Sequence, residues 1–263
     1  MKTLVAFIAR TGYITKGIVY FFVGLFAVQA AIGVSAAASG TKQTIQEFIY
    51  RPFGDIILYV CMAGLFAHAV WRILQAIKDP EERGSGAGVM FFRLIDFLTG
   101  CLYISLSYAC WQILQGLQTQ SSDKNTEVWV GKILVLPFGK WLVLFCALVI
   151  VVAGLYQFYS AAIASFDYSF EDTKMSEKEK KMLRTLGQIG ISAWGVVYCM
   201  VGFLFYQAAM QFDADEAGGL SDALNALQEQ PFGVWILGAT AGGLLIYGIY
   251  LLILSYYHKI YGR

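Results

Sequence analysis

Residues 17–29 read Gly17-Ile18-Val19-Tyr20-Phe21-Phe22-Val23-Gly24-Leu25-Phe26-Ala27-Val28-Gln29. The stretch carries no charge, and Gly17, Tyr20 and Gly24 fall on one stripe of an α-helix. The same spacing returns as Gly100, Tyr103, Ser107 and Gln112, and again as Gly195, Tyr198, Gly202 and Gln207. One apolar helix written three times is an internal repeat, and its partner segments set the architecture.

Each copy is followed by a second apolar run opened by Pro-Phe-Gly, at Pro52-Phe53-Gly54, Pro137-Phe138-Gly139 and Pro231-Phe232-Gly233. Three of the chain's four prolines serve these corners. Seven and four residues before each proline stand Ile45 and Phe48, Val130 and Ile133, and Leu224 and Leu227. That is the spacing of a short amphipathic helix. Thr44 with Glu47, and Ser176 with Glu179, have the form of capping boxes.

Six apolar segments, about 13–33, 55–77, 95–116, 138–163, 187–209 and 233–257, reach the roughly 20 residues that span a bilayer core. Composition agrees, at 58% hydrophobic and 14% charged, with a mean hydropathy of +0.60. The expected fold is an all-α integral membrane protein, one domain over 1–263. Its six transmembrane helices form three tandem two-helix repeats, 9–83, 92–168 and 183–260, with a short interfacial helix before each even span. Repeats of two spans enter the membrane in the same direction and are related by an axis along its normal, so three of them predict a pseudo-threefold arrangement.

Lys2, Arg10 and Lys16 before an apolar run ending near Ser35-Ala36-Ala37-Ala38 imitate a secretory signal. The run is longer than a signal's apolar core and its motif recurs, which assigns it to the folded protein. Orientation follows from basic residues. Of 19 Lys and Arg, only Lys42, Arg51, Lys124, Lys132 and Lys140 lie on the side of the Pro-Phe-Gly corners. The other 14, Lys16 among them, flank the opposite ends, which predicts that both termini are cytoplasmic. The 84–88 stretch reads as a flexible link.

The A-R-T-G-Y start (Ala9 to Tyr13), G-I-V-Y-F-F-V-G (Gly17 to Gly24), the three Pro-Phe-Gly corners and A-V-W-R-I-L-Q-A (Ala69 to Ala76) resemble the bacterial domain-of-unknown-function family 1206. The middle copy departs from the pattern, with Ile95 and Ser107 where the other copies have glycine. The resemblance implies three two-helix repeats and a bacterial cytoplasmic (inner) membrane. It carries no activity to transfer.

Candidate sites are few. Tyr20, Tyr103 and Tyr198, with Gln29, Gln112 and Gln207, either pack the repeats together or line a path on the axis. His68 and Arg72 are one turn apart on the second span, and ionisable residues within a span are candidate ligand contacts. Their equivalents, Ala153 and Tyr247, Gln157 and Leu251, are different, so a site there is asymmetric. Asp96 and Asp167 are the candidate partners of Arg72 within the protein, and an anionic lipid headgroup is the candidate outside it. The five cysteines, Cys61, Cys101, Cys110, Cys146 and Cys199, read as small buried hydrophobes, with neither disulfide nor metal spacing. His68 and His258 differ in depth by roughly 16 Å at helical rise, which argues against a haem held between them. No cofactor, metal or catalytic residue is expected. Asp55, Asp96 and Asp167 all stand at span ends, which argues against ion-coupled transport.

Net charge is +1, so no nucleic-acid partner is expected. The expected partners are membrane lipids, and another membrane protein or a second copy of the chain. Two functions remain: a structural, accessory or lipid-binding membrane protein, and a passive channel or uniporter along the pseudo-threefold axis.

Overall fold

A computed structural model describes residues 2–34, 37–50, 53–78, 87–117, 122–164 and 175–257. Pro52, Asp167, His258 and residues 84–86 of the link lie outside the described residues. Among those described, all regular structure is helical: α1 (Lys2–Ala31), α2 (Thr41–Glu47), α3 (Gly54–Lys78), α4 (Ala87–Leu114), α5 (Ser122–Leu134), α6 (Gly139–Ile163), α7 (Glu177–Gln211), α8 (Leu220–Gln228) and α9 (Gly233–Tyr257), with two short 3₁₀ turns. The helices α1, α3, α4, α6, α7 and α9 are long and apolar enough to cross a membrane, the pattern of a multi-pass membrane protein. α1 and α7 begin well before the apolar runs predicted for them.

Glycine sets how these helices meet. A Cβ on Gly17 would lie 3.0 Å from the Gly248 carbonyl oxygen, one on Gly100 3.2 Å from that of Ala69, and one on Gly195 3.1 Å from that of Gly154. These three partners are equivalent positions once the Pro-Phe-Gly corners are superimposed. One turn or two further on, Gly24 meets Leu245 and Gly202 meets Val151, while the Ser107 hydroxyl donates to the Met62 carbonyl at 2.9 Å. Each odd-numbered span therefore lies antiparallel against the even span of the preceding repeat, with α1 against α9. Small residues permit such close backbone approach in membranes.

The long helices follow one another in the order α4, α3, α1, α9, α7, α6. The repeats' own helices also meet in α1 with α3 and in α7 with α9. Among the described residues α4 and α6 form no comparable seam. The N-terminus of α1 and the C-terminus of α9 share one end of the bundle, called here the terminal end.

The short helices α2, α5 and α8 connect the spans at the other end. Ile45, Phe48, Val130, Leu224 and Leu227 are buried and Ile133 half-buried, as the amphipathic spacing requires. Ala38 N–H donates to Asn225 Oδ1 at 2.8 Å and Gln43 Nε2 to Ser221 Oγ at 2.9 Å, tying α2 to α8. Burial on α2 holds the Lys42 ammonium below the ordinary lysine range. The glycine of each corner is obligatory: a Cβ on Gly54, Gly139 or Gly233 would collide with a carbonyl oxygen of the preceding short helix, from Phe48, Ile133 or Gln228. Phe53 and Phe232 make their turns with φ of 61° and 62°.

Two expectations need correction. Thr44 is not an N-cap: its N–H bonds the Gly40 carbonyl, so α2 starts one turn earlier, and Glu47 accepts from the Ser39 hydroxyl instead. Cys101 is exposed on the outside of α4, whereas Cys61 and Cys110 are buried. The Ser176 and Glu179 capping box is formed and opens α7.

Candidate functional site

Towards the terminal end, α1 presents Tyr13, Lys16 and Tyr20 at intervals of three and four, one continuous face. That face turns inward. Tyr13 and Tyr20 are buried and Lys16 is half-buried. The Lys16 Nζ stands 5.6 Å from the ring centroid of Tyr20, 5.7 Å from that of Tyr103 and 5.8 Å from that of Tyr247. All three are within the range in which an ammonium is attracted by a ring face. Rings from α1, α4 and α9 thus surround one amine.

The rings also hold one another. Tyr20 meets Trp194 edge-on at 5.1 Å and Tyr247 at 5.6 Å, and Trp194 lies 5.5 Å from Tyr198. Trp194 occupies in the third copy the place of Lys16 in the first.

Beside the cage is His68, fully buried, with Tyr103 edge-on at 4.5 Å and Tyr13 at 5.7 Å. Neither of its ring nitrogens has a hydrogen-bond partner. One turn along α3, Arg72 Nη1 is 2.7 Å from Asp96 Oδ1 on α4 and 3.3 Å from Gln75 Oε1. The carboxylate is buried and the Arg72 side chain half-buried. Asp96 thus meets the charge of Arg72. Among the described residues Lys16 has no carboxylate of its own, so the cluster holds one cation more than its anions.

The structure brings together His68, Arg72, Asp96, Tyr20 and Tyr103 from the residues singled out in the sequence, with Tyr198 at one remove behind Trp194. Gln29, Gln112 and Gln207 are half-buried and stand apart from the cluster, nine residues or roughly 13 Å of helix beyond each tyrosine. Lys16, Trp194 and Tyr247 are additions. Counted with the basic residues at the terminal ends of the spans, Lys16 instead holds its amine inside the bundle. The signal was available in its position, four residues before Tyr20 on the tyrosine's own face. Chemically the cluster can hold an anion against an amine. Among the described residues no group of three or more His, Cys, Asp or Glu gathers to hold a metal.

The sequence profile of the family described as Domain of Unknown Function (DUF1206) matches three times, at residues 11–79, 97–164 and 189–258. The chain is similar to the protein named Uncharacterized protein YxxB of Bacillus subtilis (strain 168), at 29% identity over 254 residues, covering 95% of this chain and 90% of that one. No solved structure matches it.

Proposed function

The chain belongs to the family described as Domain of Unknown Function (DUF1206), and from that premise we propose that it is an accessory protein of the bacterial cytoplasmic membrane that holds an anionic lipid. Both termini face the cytoplasm in this reading. The terminal end of the bundle then lies in the inner leaflet, where anionic headgroups are available. The observation that carries the proposal is the Lys16 amine within its three tyrosine rings, with no carboxylate of its own among the described residues. A lysine within a span costs about 2.5–3.5 kcal/mol at mid-depth on insertion scales and less near the interface. Aromatic faces offset part of that, and a bound phosphate would offset the rest.

The same reading takes the three repeats as arranged about a pseudo-threefold axis, with α2, α5 and α8 at the outer interface. Support comes from the equivalent partners of Gly17, Gly100 and Gly195 on the preceding repeat. The channel alternative needs the tyrosines apart and facing an open path. The edge-on contacts of Tyr20 with Trp194 and Tyr247, and the contact of Trp194 with Tyr198, favour a closed centre.

The test is native mass spectrometry of protein released from nanodiscs of mixed phosphatidylglycerol and phosphatidylethanolamine. Wild type retains phosphatidylglycerol preferentially, Lys16→Gln lowers that retention roughly tenfold, about 1.4 kcal/mol, and Lys16→Arg restores it. Equal retention of the two lipids, or the same retention with Lys16→Gln, rejects the proposal.

A further inference from the structure

In the first repeat, α1 and α3 approach at two glycines. A Cβ on Gly12 would lie 2.8 Å from His68 Cα, and one on Gly64 would strike the Thr15 side chain. The third repeat does the same: Gly190 would meet Tyr247 Cα at 2.7 Å and Gly243 the Ala193 Cβ at 2.5 Å. The second repeat has Ile95 and Val149 at these two places. Both are β-branched, and both are exposed, at 42% and 45%.

A third position agrees. Trp71 and Tyr250 are buried in the first and third repeats, but their equivalent Tyr156 is 50% exposed. The two residues that would have to be small for α4 and α6 to pack are large, and among the described residues the seam is open. On its inner side Lys16, Trp194, Tyr198 and Tyr247 are only half-buried, although they belong to the middle of the bundle.

We propose that the open α4–α6 seam is a lateral portal, in which the acyl chains of an anionic glycerophospholipid lie while its phosphate reaches Lys16. This rests on the lipid-binding reading above and adds the route. The walls suit chains: Leu98 and Leu102 on α4, with Val149, Val152 and Tyr156 on α6, are exposed. A second protein helix would need small residues there for close packing, and Ile95 and Val149 deny them. The Lys16 amine behind the seam, which has no carboxylate of its own among the described residues, selects the headgroup by charge.

The portal is tested by placing the photoreactive residue p-benzoylphenylalanine at Ile95, at Val149, or at the outward-facing Tyr59 of α3, in full-length protein in phosphatidylglycerol-containing nanodiscs. Lipid adducts at the two seam positions fall roughly tenfold, about 1.4 kcal/mol, when Lys16→Gln is added, and recover with Lys16→Arg. Adducts at Tyr59 do not change. Seam adducts independent of Lys16 would mean only bulk lipid touches the seam, and adducts to a second copy of the chain would mean that protein covers it; either overturns the portal. Lys16-dependent retention in the mass spectrum without Lys16-dependent seam adducts removes the portal and leaves the lipid reading standing. Retention that ignores Lys16 removes both.

Discussion

At the scale of the residue, the two cations of the cluster are held in different ways. Arg72 is held by a carboxylate at 2.7 Å, Lys16 by the faces of three rings. Removing one partner of a buried ion pair strands the other, at about 3–5 kcal/mol. Arg72→Gln is therefore expected to lower thermal stability in detergent by that order, and adding Asp96→Asn to recover much of the loss. Additive losses from the two substitutions would show that the pair is not coupled. Arg72→Gln combined with Asp96→Asn should leave phosphatidylglycerol retention unchanged, because the pair is neutral and the cluster's excess charge is that of Lys16. The sequence made His68, Arg72 and Asp96 visible as titratable groups within or beside spans. It hid the role of Lys16, because a lysine in the first turns of a span usually snorkels to the headgroups, and only the fold brings Tyr103 and Tyr247 to it. Equivalence also misled: Tyr198 repeats Tyr20 along the chain, but its ring packs on Trp194.

At the scale of the element, the Pro-Phe-Gly corners and the glycine stripe were legible because each is a local steric demand repeated three times. The Ile133 carbonyl oxygen, which a Cβ on residue 139 would strike, leaves no freedom at that corner. Gly139→Ala is expected to destabilise by about 1–3 kcal/mol, the usual cost of overpacking. Gly242→Ala, with nothing within 4 Å of its added Cβ, is expected to be close to neutral. Thermal melts of the two variants check the pair, and equal melting temperatures would contradict the steric account. The failed capping box at Thr44 has the opposite lesson. Its pattern is short, and Gly40 began the helix first because the burial of Thr44 and Ile45 beneath the spans fixes the register of α2.

At the scale of the whole molecule, two seams within repeats close and the third does not. The sequence showed one half of this, Ile95 in place of glycine. The other half, Val149, gains meaning only when Gly64 and Gly243 are seen to face Thr15 and Ala193. Orientation belongs to this scale too. The 14 basic residues flanking the terminal end predict that a reporter fused after Glu81 reads as cytoplasmic and one fused after Gly218 as external; the reverse pattern would put Lys16 in the outer leaflet and remove the inner-leaflet lipid as its ligand. The most direct measurement is an experimental density map of the protein in nanodiscs of native lipid. The account predicts a phospholipid with its chains between α4 and α6 and its phosphate within about 4 Å of the Lys16 Nζ, the distance of an ion pair. A seam filled by protein, or a Lys16 sealed behind closed helices with no lipid beside it, would contradict it.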